Sequence, residues 1–568
     1  MTLDFAAMLA ALALCLAAAS PAVIAVLQRS RGLTRIHDAA VRLIERRFLL
    51  LISLLLLFAF ALRAFRLSTH PTPLSADEAF IAASARWLAA TGRDLNGSLL
   101  PPYLKGAGSL GSMGILTPLL TAPFVALLGM SALAVRLPAL LMAMGSLILM
   151  AAWVYRTCGK GGALLALFMG ALAPWAFMSA RFGTAAHALL FTLLLGGYLL
   201  TKPLSHAKQR PAFLYGGTAA LAACMYTVDV AWIVAPLFMI GYAIYALARQ
   251  HSKPLHIISA VGLFLLLSLP AFCVAAVNLL GLNPFQFFFM RIERFNQAIP
   301  LVHSALRAGS FETVCYALRQ NFVSWLGWLT LNIHTDEFTP TGVWTPWNQE
   351  SAYAFLIPFL LVGVCALVSM LQSKKRGAGM PLALFGMSFV LQLFFSSLDS
   401  QEILFAHAAV TIVCCIGLFE IIRRVRLSGI AAAMLLVLTA LPLIAGYFGE
   451  DYMASTGDQY HPGLVESIQY AKALAPDEVI LSQEIHPSSD PRQTARAYGI
   501  YALNERPHDK SILQTAYLPG LTPDMSRRIA YVGRYSDFDS FDYDAFNYAE
   551  FEDYCVLTPI AAFGEITP

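Results

Sequence analysis

Charge is what this chain has least of. Asp, Glu, Lys and Arg make up 13% of its 568 residues, against roughly one quarter in an average soluble domain. So few charges cannot clothe a water-facing surface of this size. With 58% hydrophobic residues and a mean hydropathy of +0.65, the chain reads as a polytopic membrane protein. Its net charge of +4 is too small to argue for a nucleic-acid partner. Cysteine is scarce outside the apolar runs. Cys15, Cys224, Cys273, Cys365, Cys414 and Cys415 lie inside them, and Cys315 and Cys555 show no spacing that marks a bridge, so no disulfide framework is expected. Basic residues are also missing before the first apolar run. That speaks against a cleaved signal despite the small-residue stretch "LCLAAASPA", and a retained anchor is expected.

A helix needs about 20 mostly apolar residues to cross the hydrocarbon core. Twelve stretches qualify, near 5–28, 48–66, 132–155, 161–179, 184–201, 211–227, 229–248, 256–280, 352–372, 380–398, 403–422 and 429–447. Basic clusters fall in every second connection. Arg42, Arg46 and Arg47 precede the second span, Arg156 and Lys160 follow the third, and Lys202, Lys208 and Arg210 follow the fifth. Arg249 with Lys253, Lys374 to Arg376, and Arg423 with Arg424 continue the alternation. The positive-inside rule makes these connections cytoplasmic. It places outside the loop 67–131, "SARFG", "TVD", the loop 281–351, "LDSQE" and the tail. The apolar segment 114–129 is short and carries two prolines. Counting it as a span would invert every later loop, so it is expected to lie in or dip into the outer interface.

An acidic pair therefore stands on the outer face. Asp77 and Glu78, in "PLSADEAFIAASARWLAATG", follow a long apolar run and begin a helical pattern. Two roles are open for Asp77. A carboxylate there could act as a general base on a hydroxyl, or it could cap the helix together with Ser75. The same face carries Lys105 in a Gly/Ser-rich stretch, Arg136 at a span entrance, Arg181 in "SARFG", and His187 about one and a half turns into the next helix. Cations beside a carboxylate suit a lipid-linked phosphate leaving group, although each alone is also a common interfacial residue.

The order and side of these motifs resemble the GT-C superfamily of polyprenyl-phosphate-sugar glycosyltransferases. The branch resembled contains bacterial protein O-mannosyltransferases and the lipid A aminoarabinose transferase. The resemblance rests on the acidic pair followed by "NG", on "AVRLPALL" (134–141), "SARFGTAAHALLFTLLLGGYL" (179–199), "YTVDVAWIVAPLFMI" (226–240), "TPTGVWTPWNQESAYAFLIPFLLVGV" (339–364) and the start of the tail. It implies an inverting transfer from a polyprenyl-phosphate sugar to a hydroxyl on a protein, lipid or cell-wall glycan, at the outer face of the cell membrane. Asp77, with Glu78, becomes the expected catalytic pair, and Lys105, Arg136, Arg181 and His187 the expected donor-phosphate or substrate contacts. The acidic residue that the family often has after the second-loop arginine is missing from "RFGTAAHALL". Asp229 and Asp336 are candidate substitutes, and Trp347 and Asn348 candidate sugar contacts. No cofactor or metal is expected. A lipid-linked sugar transporter, or a surface-glycan polymerase or ligase, is the alternative. The spans hold few acids, which disfavours transport.

The fold expected is mainly α: a GT-C-like membrane bundle over 1–447 and a small extracytoplasmic α/β domain over 448–568. In the tail, "LVESIQYAKAL" reads as an amphipathic helix, while "EVILSQ", "RRIAYVG" and "YCVLTPI" read as strands. The acid- and aromatic-rich "SDFDSFDYDAFNYAEFEDY" lacks the Gly turn of a calcium loop and reads as a solvated edge. "NPFQFFFMRIERFNQ" reads as an interfacial helix. Because the cations lie in 105–187, the tail is expected to be dispensable for donor binding. Reporter fusions at Lys374 and at residue 460 should report opposite sides of the membrane; the same side for both would overturn the topology.

Overall fold

The computed structural model describes residues 2–20, 31–71, 74–106, 112–201, 211–248, 253–295, 310–330, 354–373, 378–394, 404–425, 428–449, 461–485, 491–508 and 510–566. Each of the twelve apolar stretches coincides with helix. In chain order the helices and strands begin with α1 (Thr2–Ala19), α2 (Arg31–Ala64), α3 (Ala76–Thr91), β1 (Tyr103–Lys105), β2 (Ser112–Gly114) and α4 (Leu116–Leu128). They continue with α5 (Ala132–Leu172), α6 (Pro174–Met178), α7 (Ala186–Thr201), α8 (Pro211–Cys224), α9 (Ala231–Ala248) and α10 (Pro254–Leu279). Among the described residues six helices are long and apolar enough to cross a membrane, and others are apolar but shorter, including α7, α8 and α4. The chain is a multi-pass membrane protein.

Two of the expected spans form one element. α5 runs through 41 residues, and the chain changes direction inside it at Gly159, where φ is 72° and ψ −161°. A positive φ is cheap for glycine and costly for any other residue. The cytoplasmic connection expected between spans three and four is thus compressed into a kink. Later in the bundle, α12 (Ile357–Gln372) and α14 (Leu404–Arg424), with α13 (Gly379–Phe394) between them in sequence, approach at glycine. A Cβ on Gly417 would stand 1.9 Å from the Phe359 carbonyl oxygen, and one on Gly363 2.0 Å from that of Val413. Without side chains there the backbones pack directly, the usual route to tight helix contact in lipid. α15 (Ser428–Tyr447) closes the membrane part.

The outer segments depart from the sequence reading in one place. Over "NPFQFFFMRIERFNQ" the structure has a hairpin, β3 (Phe285–Phe287) against β4 (Met290–Ile292), with Phe285 facing Ile292, followed by α11 (Phe311–Thr330). The aromatic run favours strands, and the next helix begins only at Phe311. The segment 114–129 forms a short, 13-residue helix, α4.

The tail is an α/β unit of α16 (Leu464–Ala473), α17 (Pro491–Leu503) and a five-stranded sheet. The strands are β5 (Glu478–Ser482), β6 (Leu513–Ala516), β7 (Ile529–Arg534), β8 (Phe546–Phe551) and β9 (Tyr554–Pro559), in the order β6-β5-β7-β9-β8. β5 pairs parallel with β6 and β7, while β7–β9 and β9–β8 are antiparallel. The three strands read from sequence are β5, β7 and β9. β8 comes from the acid-rich stretch and forms a sheet edge, where charge discourages pairing with other chains.

The tail does not stand apart from the membrane part. Phe80, Ile81 and Ala83 of α3 share one apolar core with Ile468, Val479, Tyr498 and Val532 of the tail. Polar ties reinforce it. The Tyr498 hydroxyl donates to the Leu74 carbonyl at 2.7 Å, Arg86 reaches the Asn504 side chain at 2.5 Å, and Gln493 donates to Asn96 at 2.9 Å. The tail thus covers the helix that carries the acidic pair. Truncation after residue 448 should therefore destabilise residues 74–106, at about 1.5–3 kcal/mol for each large apolar side chain re-exposed. Limited proteolysis and thermal unfolding should show new cleavage there and a lower Tm. Unchanged cleavage and Tm would mean that α3 stands alone.

Candidate active site

α3 starts with a capping box. The Ser75 hydroxyl accepts from the Glu78 amide at 3.3 Å, and the Glu78 carboxylate accepts from the Ser75 amide at 3.0 Å. This pattern satisfies two helix-end donors at once. The cap is therefore Ser75, and Asp77 at the second helical position is not needed for it.

Glu78 is fully buried, and its carboxylate holds three parts of the chain together. Arg136, from the first turns of α5, meets it with Nε at 2.7 Å from Oε1 and Nη2 at 3.1 Å from Oε2. The Gly183 amide, two residues beyond Arg181, donates to Oε1 at 2.9 Å. The remaining guanidinium nitrogen, Nη1, donates to the carbonyls of Leu67 and Pro71 at 3.0 and 2.9 Å. Burial pushes the Glu78 carboxyl up, but the adjacent Arg136 charge and the hydrogen bonds pull harder, so it is held below its ordinary value of 4.5. The "ADE", "RLP" and "RFG" motifs meet at this one knot.

Arg181 builds a second knot beside it. Its guanidinium donates to the Arg63 carbonyl at 2.7 Å, the His70 carbonyl at 2.9 Å and the Tyr447 hydroxyl at 3.2 Å. It also lies 4.8 Å from the Phe448 ring centroid. His70 Nε2 is 2.6 Å from the Tyr447 carbonyl oxygen. Arg63, likewise buried, donates to Ala176 and Gly170. Arg136 and Arg181, expected to face a phosphate, are thus both buried and hold protein carbonyls instead. The structure gives them positioning contacts.

The other expected residues fall on two sides of α3. His187 is buried in the first turn of α7, with no hydrogen-bond partner for either ring nitrogen among the described residues. Lys105 ends β1 with an exposed side chain. The next residue, Gly106, presses on α3: a Cβ there would come 3.3 Å from Phe80 and 2.8 Å from Gln493. The hairpin leans on the α8–α9 turn, with the Gly114 amide on the Thr227 carbonyl at 2.8 Å and the Tyr103 hydroxyl on the Met225 carbonyl at 2.9 Å. That turn carries Asp229, which accepts from the Val230 amide at 2.9 Å. Burial pushes its carboxyl up to about 6, against the opposing pull of that amide. Asp77 is half-buried beside Glu78 in the first turn of α3. Asp336, Trp347 and Asn348 lie outside the described residues. Among the described residues no three His, Cys, Asp or Glu side chains cluster as metal ligands.

Sequence reasoning missed Arg63, His70, Tyr447 and Tyr498. Arg63 and Tyr447 read as ordinary span ends, and only the fold brings Tyr498 under Leu74.

No family model and no curated protein matches the chain. Solved structures do. ArnT from Cupriavidus metallidurans in the apo state is similar with a TM-score of 0.53 at 13% identity, over 91% of this chain and 99% of that one. The same protein bound to undecaprenyl phosphate gives 0.50 at 14% identity over the same shares. The chain thus shares the fold of ArnT, a mainly helical membrane bundle with a small tail domain as its sequence leads one to expect.

Breaking one side of a buried, hydrogen-bonded ion pair costs about 3–5 kcal/mol. Glu78→Gln should lose stability of that order in thermal unfolding. A Glu78→Leu/Arg136→Met pair should recover it in part, because the Leu67 and Pro71 carbonyls and the Gly183 amide stay unpaired. The Glu78 contribution is complete above its ordinary value of 4.5 and is lost as pH falls through its lowered one. Acid unfolding of the Gln variant should accordingly be less steep below that point.

Proposed function

We propose that this chain is an inverting glycosyltransferase that moves a sugar from a polyprenyl-phosphate donor to a hydroxyl acceptor at the outer face of the cell membrane. The observation that carries the reading is the division of labour at the start of α3. Ser75 caps the helix and Glu78 fastens it to Arg136 and Gly183. Asp77, half-buried in the same first turn, is the carboxylate that this frame presents next to the anchored one. The fold supports the same reading, since ArnT shares it and has been solved with undecaprenyl phosphate.

In this reading Asp77 takes the proton of the acceptor hydroxyl. The hydroxyl oxygen attacks the anomeric carbon from the face opposite the phosphate. The carbon–oxygen bond to the phosphate breaks, the phosphate leaves with the electron pair, and configuration inverts. Lys105, exposed at the end of the hairpin beside α3, supplies a cation for the departing phosphate. Arg136 and Arg181 position the loops around it, and His187, buried in the first turn of α7, is assigned as a further substrate contact. Asp229 serves as a second carboxylate from the α8–α9 turn. Asp336, Trp347 and Asn348 belong to the long loop that would meet the sugar. The active site and the tail are both extracytoplasmic, and the acceptor is a protein, lipid or cell-wall glycan.

Removing a general base typically costs two to four orders of magnitude in rate. Asp77→Asn should lower turnover by roughly 10²- to 10⁴-fold while leaving Tm and donor affinity nearly unchanged, because the cap and the ion pair remain. Lys105→Ala should instead weaken donor binding first. A purified Asp77→Asn enzyme that turns over at close to the wild-type rate would remove Asp77 from the chemistry.

A further inference from the structure

The end of the bundle away from the acidic pair holds an apolar groove with a basic rim. It has a volume of about 240 Å³ and is walled by Phe48, Ile52 and Leu56 of α2, Ala152 and Tyr155 of α5, and Tyr198 of α7. It sits beside the Gly159 kink. α2 leans on this wall loosely: Leu49, Leu50, Leu54 and Leu57 are each more than half exposed. From Phe48 to Ala64 the helix rises about 24 Å at 1.5 Å per residue, so the groove and the acidic pair lie at opposite ends of the span.

Cations ring the mouth. Arg46 and Arg47 directly precede Phe48 and are exposed. The Lys160 ammonium is 2.6 Å from Glu45 and 6.0 Å from the Phe48 ring centroid. The Arg156 guanidinium lies 3.8 Å from the Tyr198 ring centroid and donates to Thr201 at 2.8 Å. Arg42 lies one turn before Arg46 and is exposed, and Glu45 is the carboxylate that Lys160 meets.

The apolar wall alone selects nothing, because every lipid tail is as greasy as leucine. Selection has to come from the rim, and basic pockets between membrane helices on the cytoplasmic side take anionic headgroups. We infer that this groove binds one anionic phospholipid of the cytoplasmic leaflet, with an acyl chain between α2 and α5 and its phosphate at Arg46, Arg47 and Lys160. The leaflet follows from the basic loops. The donor of the proposed reaction belongs to the other end of the bundle and is a different ligand.

The test is native mass spectrometry of the full chain released from micelles holding equimolar phosphatidylglycerol and phosphatidylcholine with identical acyl chains. One retained phosphatidylglycerol is expected, favoured about tenfold or more over phosphatidylcholine, as two engaged cations would give. Arg46→Gln/Lys160→Gln should bring that preference close to unity. Ala152→Phe, which fills the groove, should abolish retention, and Ile52→Trp from the facing wall serves the same purpose if the first variant does not fold. Equal retention of both lipids by the wild type, or undiminished retention in the folded groove-filling variant, would overturn the inference. The readout is lipid retention without turnover, so the outcome is independent of the transferase reading.

Discussion

The end of this protein that carries the acidic pair depends on a buried ion pair. Glu78 and Arg136 are both withdrawn from solvent, and each charge alone would cost several kcal/mol there. Both become tolerable because nothing polar is left over. The carboxylate accepts from Arg136, Ser75 and Gly183, and the guanidinium spends its remaining donor on two carbonyls. Neutralisation here is also architecture. The partners come from the segment after the second span, from the head of α5 and from the loop before α7, so these cannot move independently while the pair is intact.

A helix pinned in this way at its N-terminus can present a neighbouring side chain with precision, and the tail secures its other flank. The Tyr498 hydroxyl holds the Leu74 carbonyl immediately before the cap, and the shared core clamps the middle of α3. Membrane bundle and tail domain are one mechanical unit around Asp77. A base must sit within hydrogen-bond reach of its proton, where displacements of an ångström matter. The investment of two domains in one short helix is consistent with that demand.

Much of this was legible in the sequence because the membrane makes it so. Apolar runs of span length and alternating basic loops identify helices that the structure then contains, and strand composition marks β5, β7 and β9. The site was legible as a set of motifs but not as a set of roles. Glu78 and Asp77 are adjacent and chemically alike, and nothing in "SADEAF" says which one turns inward. Arg136 and Arg181 look like phosphate ligands because an arginine near an outer helix end has the right charge; whether its donors meet a phosphate or a carbonyl is a long-range fact. The Arg181 partners come from residues 63, 70 and 447, separations that no local pattern encodes. The hairpin at Phe285–Ile292 was misread for a different reason. Aromatics beside alternating charges satisfy both an amphipathic helix and a short strand pair, and the turn decided.

The three buried arginines also bear on how the charge of this chain is used. Arg63, Arg136 and Arg181 are buried at the end of the bundle that carries the acidic pair, where an unsatisfied guanidinium would be prohibitive. Their planar donor forks suit backbone carbonyls and a carboxylate, which lysine could not bracket in the same way. They therefore serve as fasteners. Other cations keep contact with solvent, among them Lys105 at the hairpin before α4, and Arg46, Arg47 and the half-buried Lys160 at the opposite end. A chain with so few charges thus divides them by burial. Arginine inside fixes the frame, while on the proposed reading Lys105 is left to meet the phosphate of a lipid-linked donor and the cations at the opposite end that of a membrane lipid.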